Sequence, residues 1–175
     1  MVTMPPVGYE GALVLTVADE LRRGLADHPT LARFQFPGER APKEAPEEWV
    51  EYHPLSILPM RRPRQSYQAV VLFQVSCFSK LAEFRSDKDA HRPWRIAGVV
   101  TDLLQRKDLK VYEIGPEGDE RAVLGVLSIH EPEQQYLNQR MSRSQGPRQF
   151  GNMALPDNTI HLVALTFRAV TNVHI

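Results

Sequence analysis

Hydrophobic positions along the chain fall into two periods. Between Gly11 and His28, Leu13, Val14, Val17, Leu21 and Leu25 recur at helical spacing, with Asp19, Glu20, Arg22 and Arg23 on the opposite side. This predicts an amphipathic helix lying on a core. Gly24 weakens its last turn and Pro29 ends it. A second helical stripe, Ile96, Val99, Val100, Leu103 and Leu104, sits within SDKDAHRPWRIAGVVTDLLQRKD, with Pro93 suited to an early helical position.

The other period is two. SYQAVVLFQVSCFSK, Ser66 to Lys80, places Tyr67, Ala69, Val71, Phe73, Val75 and Cys77 on one face. Gln68, Val70, Leu72, Gln74, Ser76 and Phe78 fall on the other, so one face is apolar throughout and the second is mixed. TIHLVALTFRAVTNV near the end of the chain matches it as a second long strand, with Ile160, Leu162 and Ala164 alternating against His161, Val163, Leu165 and Phe167. Shorter strands are expected at Leu31–Phe36, around Trp49, Val50 and Tyr52 between Pro46 and Pro54, at Leu109–Ile114 and at Arg121–Ile129. GPEGDE reads as a turn, PLSILPMRRPRQ as a proline-rich loop or edge extension, and Glu131–Asp157 as a long irregular segment. Two helices and about five strands with hairpin-length turns imply an α+β fold in one domain. In that fold a mostly antiparallel sheet carries both helices on one face and long loops extend from it. Val70, Leu72 and Phe78 are too apolar to leave wet, so the second face requires a cover from a neighbouring subunit or from the sheet curling over.

Composition narrows the function. Twenty-one basic and 21 acidic residues cancel, so no global field drives the chain onto nucleic acid or an anionic membrane. The N-terminal MVTMPPVGYEGALVL lacks the charged start and apolar run of a secretion signal, and no segment has membrane-spanning length. The one cysteine, Cys77, falls on the apolar strand face and reads as a small buried hydrophobe. Asp87, Asp89 and His91 form a D-x-D-x-H run just before the second helix, where aspartates cap free backbone donors, so no metal is expected there. His130 and His161 stand alone in or near strands, and no nucleophile elbow, zinc-protease, phosphate-loop or dinucleotide motif occurs. No catalytic residue or cofactor is expected.

Two basic clusters stand out as candidate partner contacts. Arg61, Arg62 and Arg64 lie in one loop; Arg140, Arg143 and Arg148 lie in another, with Tyr136 and Phe150 as flanking aromatics. A solvated loop face is the commoner role for surface arginines, but long irregular segments in compact domains are often functional. Aromatics are too sparse for single-strand nucleic-acid stacking.

The order of elements carries a resemblance. An N-terminal amphipathic helix leads through the W-V-E-Y stretch to VVLFQVSCF, then to a second helix R-I-A-G-V-V-T-D-L-L and a terminal apolar strand. This pattern, over most of Gly11–Asn172, resembles the tail terminator proteins of long-tailed bacteriophages, including the minor tail protein U group of lambda-like phages. The resemblance implies a structural, non-enzymatic virion protein, assembled in the host cytoplasm, whose α+β subunits form a hexameric ring. That ring caps the tail tube, stops its polymerisation and joins it to the head. Its implied partners are further copies of itself, the tube protein and the head–tail connector or neck protein. DNA would pass through the lumen without sequence-specific binding, and no membrane partner is implied. A neck protein of similar fold is the nearest alternative, and a small cytosolic enzyme or ligand-binding domain is the alternative of a different class.

Overall fold

The computed structural model describes residues 8–26, 28, 34–35, 48–60, 66–81, 91–114, 120–137 and 159–174. In chain order the elements are α1 (Tyr9–Ala26), β1 (Phe34–Gln35), β2 (Glu48–Met60), β3 (Ser66–Leu81), α2 (Arg92–Leu104), β4 (Asp108–Ile114), β5 (Glu120–Ile129), β6 (Glu133–Leu137) and β7 (Thr159–His174). The strands form one sheet in the order β1-β2-β3-β7-β5-β4, with β6 also paired to β7. All pairs are antiparallel except β1 with β2, which is parallel. The fold is α+β, as the two periods require.

The two long strands are neighbours. β3 and β7 pair from Ser66↔His174 to Leu81↔Thr159 without a shift in register. An unbroken ladder keeps every odd position of both strands on one face, because a one-residue slip would turn all of them over. Val71, Phe73, Val75 and Cys77 therefore line up with Ala169, Phe167, Leu165 and Val163, and all eight are buried. Phe73 and Phe167 stack at 5.1 Å, and Tyr52 meets Phe73 edge-on at 5.6 Å. These offset and edge contacts suit the ring quadrupoles.

Both helices cover this face. Leu13, Val17, Leu21 and Leu25 of α1 and Ile96, Val100 and Leu104 of α2 join the same buried cluster, with Val99 and Leu103 partly buried against it. Pro93 does sit in the first turn of α2, where its missing N–H costs nothing. Gly24 has a role beyond weakening α1: a Cβ there would lie 2.4 Å from a methyl of Leu103, so the glycine admits that side chain between the helices. Polar ties fix the helix ends. The Tyr9 hydroxyl and Thr171 Oγ1 share a buried hydrogen bond of 2.7 Å. Lys107 pairs with Glu20, and the largely buried carboxylate of Glu48 sits 3.5 Å from Arg95 and 3.9 Å from Arg92 in the first turn of α2.

Two expectations need correction, and two others fall partly outside the described residues. The strand around Trp49 does not stop at Pro54 but continues to Met60. The leucines and prolines of PLSILPM, read as loop or edge extension, therefore belong to a sheet strand. The strand beginning at Leu31 is described only at Phe34–Gln35. The segment from Glu131 is not wholly irregular, since Glu133–Leu137 pairs with Thr166–Leu162 of β7. Finally, the N-cap of α2 is His91, whose side chain makes no capping hydrogen bond; Asp87 and Asp89 lie outside the described residues.

Truncation of the central aromatic tests this core. Phe73→Ala is expected to lower unfolding free energy in urea titration by about 3–5 kcal/mol, the usual cost of an aromatic cavity. A loss below about 1 kcal/mol would contradict burial of the ring between Tyr52 and Phe167.

Candidate interaction surface

The face opposite the helices is built by the same ladder. Directly opposed residues of an antiparallel pair share a face, so the even positions of β3 and β7 form cross-strand rows with their neighbours. One end is aromatic: Trp49, Phe78 and Leu162 are in one row, with the Trp49 and Phe78 rings stacked at 4.7 Å and 4°. The middle is polar. Trp49 Nε1 donates to Glu51 at 2.8 Å, His53 Nε2 lies 3.2 Å from the other Glu51 oxygen, and Gln74 Nε2 donates to Ser76 Oγ at 3.1 Å. Small residues here, Ser76 and Ala164, are buried between larger neighbours.

The far end of this face carries exposed apolar side chains of β2, and a β-bulge places them there. Between Pro54↔Phe73 and Ser56↔Leu72 the register of β2 shifts by one residue, leaving Leu55 unpaired. A bulge reverses the facing of every later side chain. Ile57 is thereby turned against the core, while Leu58 and Met60 emerge on the helix-free side beside Val70 and Gln68. Leu58 is 55% exposed and Met60 44%. Across β7 the same rows reach β5, where Val126 stands opposite Asn172, and Val123 opposite Tyr112 of β4. Val123 and Val126 are also exposed. The outer edge of β2 meets β1 only at Val50 and Glu51, so its Tyr52–Met60 half has no strand beyond it among the described residues.

Arg61, Arg62, Arg64, Arg140, Arg143, Arg148 and Phe150 lie outside the described residues. Tyr136 is in β6, opposite Val163, inside the sheet and not in an irregular arm. The exposed Leu58–Met60 end was hidden in a segment that its prolines mark as loop. Its signal was the alternation Ser56, Leu58, Met60, visible only once the strand is known to run through Pro54.

Other concentrations of chemistry are modest. An open concavity of about 460 Å³ is lined by Arg106, Asp108, Ile129, His130 and Glu131, with Arg106 and Glu131 ion-paired across it. No group of three metal-ligating side chains converges among the described residues. No described helix is long and apolar enough to cross a membrane. Cys77 is fully buried, and loss of water pushes its thiol up to about 12.

No family model matches the chain, and no curated protein matches it in sequence. Among solved structures, a chain from the virion of a native gene transfer agent particle is similar, with a TM-score of 0.57 and 18% identity. The likeness covers 95% of this chain and 98% of that one. At this identity it is a likeness of fold, and it spans the whole arrangement of sheet and helices.

The buried thiol gives a direct check. Native protein at pH 8 is expected to be inert to a thiol-specific reagent and to react fully once unfolded in guanidinium. Because the folded pKa lies above the value of about 8.5 for a free thiol, the folded state holds the proton more tightly. Stability is therefore complete below about pH 8.5 and falls as pH rises towards 12, and thermal melts of Cys77→Ala should lose part of that slope. Rapid labelling of the native protein would place Cys77 outside the core.

Proposed function

We propose that the chain is a structural subunit of a phage-like virion, and within it the tail terminator: a hexameric ring that caps the tail tube, ends its growth and offers the surface that joins the head. The observation that carries this reading is the near full-length fold similarity to a chain of a gene transfer agent virion. The order of elements that resembles tail terminators points the same way. The exposed apolar end of the helix-free face supports an assembling role, since large exposed apolar side chains grouped together on a small subunit mark contact surfaces. Such a role requires no catalysis and no cofactor. Its partners are neighbouring copies, the tube protein and the connector, with DNA passing through the ring.

Electron microscopy tests this directly. The purified protein is expected to form rings, alone or on the ends of tail tubes. Particles assembled without it should show tubes of unregulated length that are not joined to heads. A protein that stays monomeric and leaves tube length unchanged when deleted would overturn the reading. Regulated tubes that simply fail to join heads would move the subunit one layer up, to the neck.

The segment 138–156, with Arg140, Arg143, Arg148 and Phe150, serves in this reading as the contact to an adjoining protein or copy. Replacing it with a short Gly-Ser turn is expected to leave a soluble subunit with an unchanged melting temperature that no longer caps tubes. Normal capping by that variant, scored by tube-length distribution, would show the segment to be idle.

A further inference from the structure

Strand β2 carries two prolines within its paired length, Pro54 and Pro59, both exposed. A proline in a paired strand is tolerated where its nitrogen faces away from the partner, because there it removes no ladder hydrogen bond. Backbone N–H groups along a strand point alternately to one side and the other. Two prolines with outward nitrogens must therefore stand an even number of residues apart. These two are five apart. In an unbroken strand one of them would face β3 and leave a β3 carbonyl without its donor.

The bulge at Leu55 removes the conflict. β3 is regular across this stretch, and the prolines oppose its Phe73 and Ala69, which are four residues apart. Pro54 and Pro59 therefore occupy the same kind of pair, although five residues separate them on β2. From Pro54 onward, the β2 positions that share this facing are Pro54, Ile57 and Pro59, opposite Phe73, Val71 and Ala69. Of the three, Ile57 alone has an N–H to offer to the outer side. A further strand would find one donor where a regular edge presents three, and two proline rings would stand in its path.

Little else guards this edge. Tyr52–Met60 contains Leu55, Ile57, Leu58 and Met60, and it has no aspartate, glutamate, lysine or arginine. Leu55, Leu58 and Met60 are exposed. β1 meets β2 only at Val50 and Glu51, and no described strand lies beyond the rest. An apolar, uncharged edge strand of this length is otherwise a template for a strand of another copy. We infer that Pro54, Pro59 and the bulge that aligns them form a stop on the sheet, which keeps copies of this chain from joining edge to edge through their backbones. The bulge thus does two things at once: it keeps the ladder to β3 intact and brings both prolines to the outside. The stop belongs to each subunit alone and does not depend on the ring reading above.

Adding the two missing donors tests this. The variant carries Pro54→Thr and Pro59→Thr, since threonine suits an extended strand. In dilute solution its far-UV circular dichroism should match the wild type. Hydrogen exchange followed by NMR should find the new amides at positions 54 and 59 exchanging rapidly, like that of Ile57. The amides of His53 and Leu58, which face β3, should be protected. On concentration, the variant should form thioflavin-binding assemblies where the wild type stays dispersed, with the amides at 54, 57 and 59 protected within them. New amides already protected in the dilute variant would mean that the prolines face β3. A variant that stays as dispersed as the wild type would mean that something else guards the edge. Either result overturns the inference. Should the variant not fold, exchange in the dilute wild type decides. A rapidly exchanging Ile57 amide beside protected His53 and Leu58 amides supports the stop, and a protected Ile57 amide overturns it.

Discussion

The register between the two long strands is the constraint from which the rest of the molecule follows. Because β3 and β7 pair without a slip over their whole length, their apolar positions accumulate on one side and create a strip wide enough for two helices. Stacking of Phe73 on Phe167 locks that register, since a shift of one residue would put the two rings on opposite faces. Every irregularity is pushed outward to the neighbouring strands. β2 has its bulge at Leu55, and β5 and β6 share a slip around His130–Pro132, where the His130 amide still bonds Arg168 across the break. The centre is regular, and the flanks supply the variety that contact surfaces need.

Those parts of the fold that obey a single period were legible in the sequence. Alternation in Ser66–Lys80 and the stripe through Ile96–Leu104 each report one buried face, and burial is what hydrophobic periodicity records. The parts that were not legible depend on partners distant in sequence. Pro54 and Pro59 read as strand breakers, yet an outer strand tolerates proline where its donor would face outward. Glu133–Leu137 is too polar to announce a strand, and it is one because β7 offers an open edge beyond Ile129. A parallel pairing of Phe34–Gln35 with Val50–Glu51 has no local signal at all.

The candidate surface was legible only in part, for the same reason. The need for a cover over the second face of β3 followed from Val70, Leu72 and Phe78. Yet Phe78 meets Trp49 within the subunit, a contact that no spacing rule encodes. The exposed leucine and methionine at the other end owe their facing to one inserted residue. The basic clusters were conspicuous as composition, and all six of their arginines lie outside the described residues.

The central ladder also sets the order in which this chain can become a protein. Its paired residues are 78 to 108 positions apart, so a long loop must close before the first of these contacts repays its entropy. Topologies dominated by such distant pairings fold slowly, in milliseconds to seconds. During synthesis β3 emerges with its apolar face bare and stays without its main partner until β7 is made. At about 5–20 residues per second, that wait lasts several seconds or more. An uncovered, aromatic-rich strand of this length is a template for misassociation in that interval. The step most exposed to failure is therefore completion of β7, on which the pairing of β3 depends.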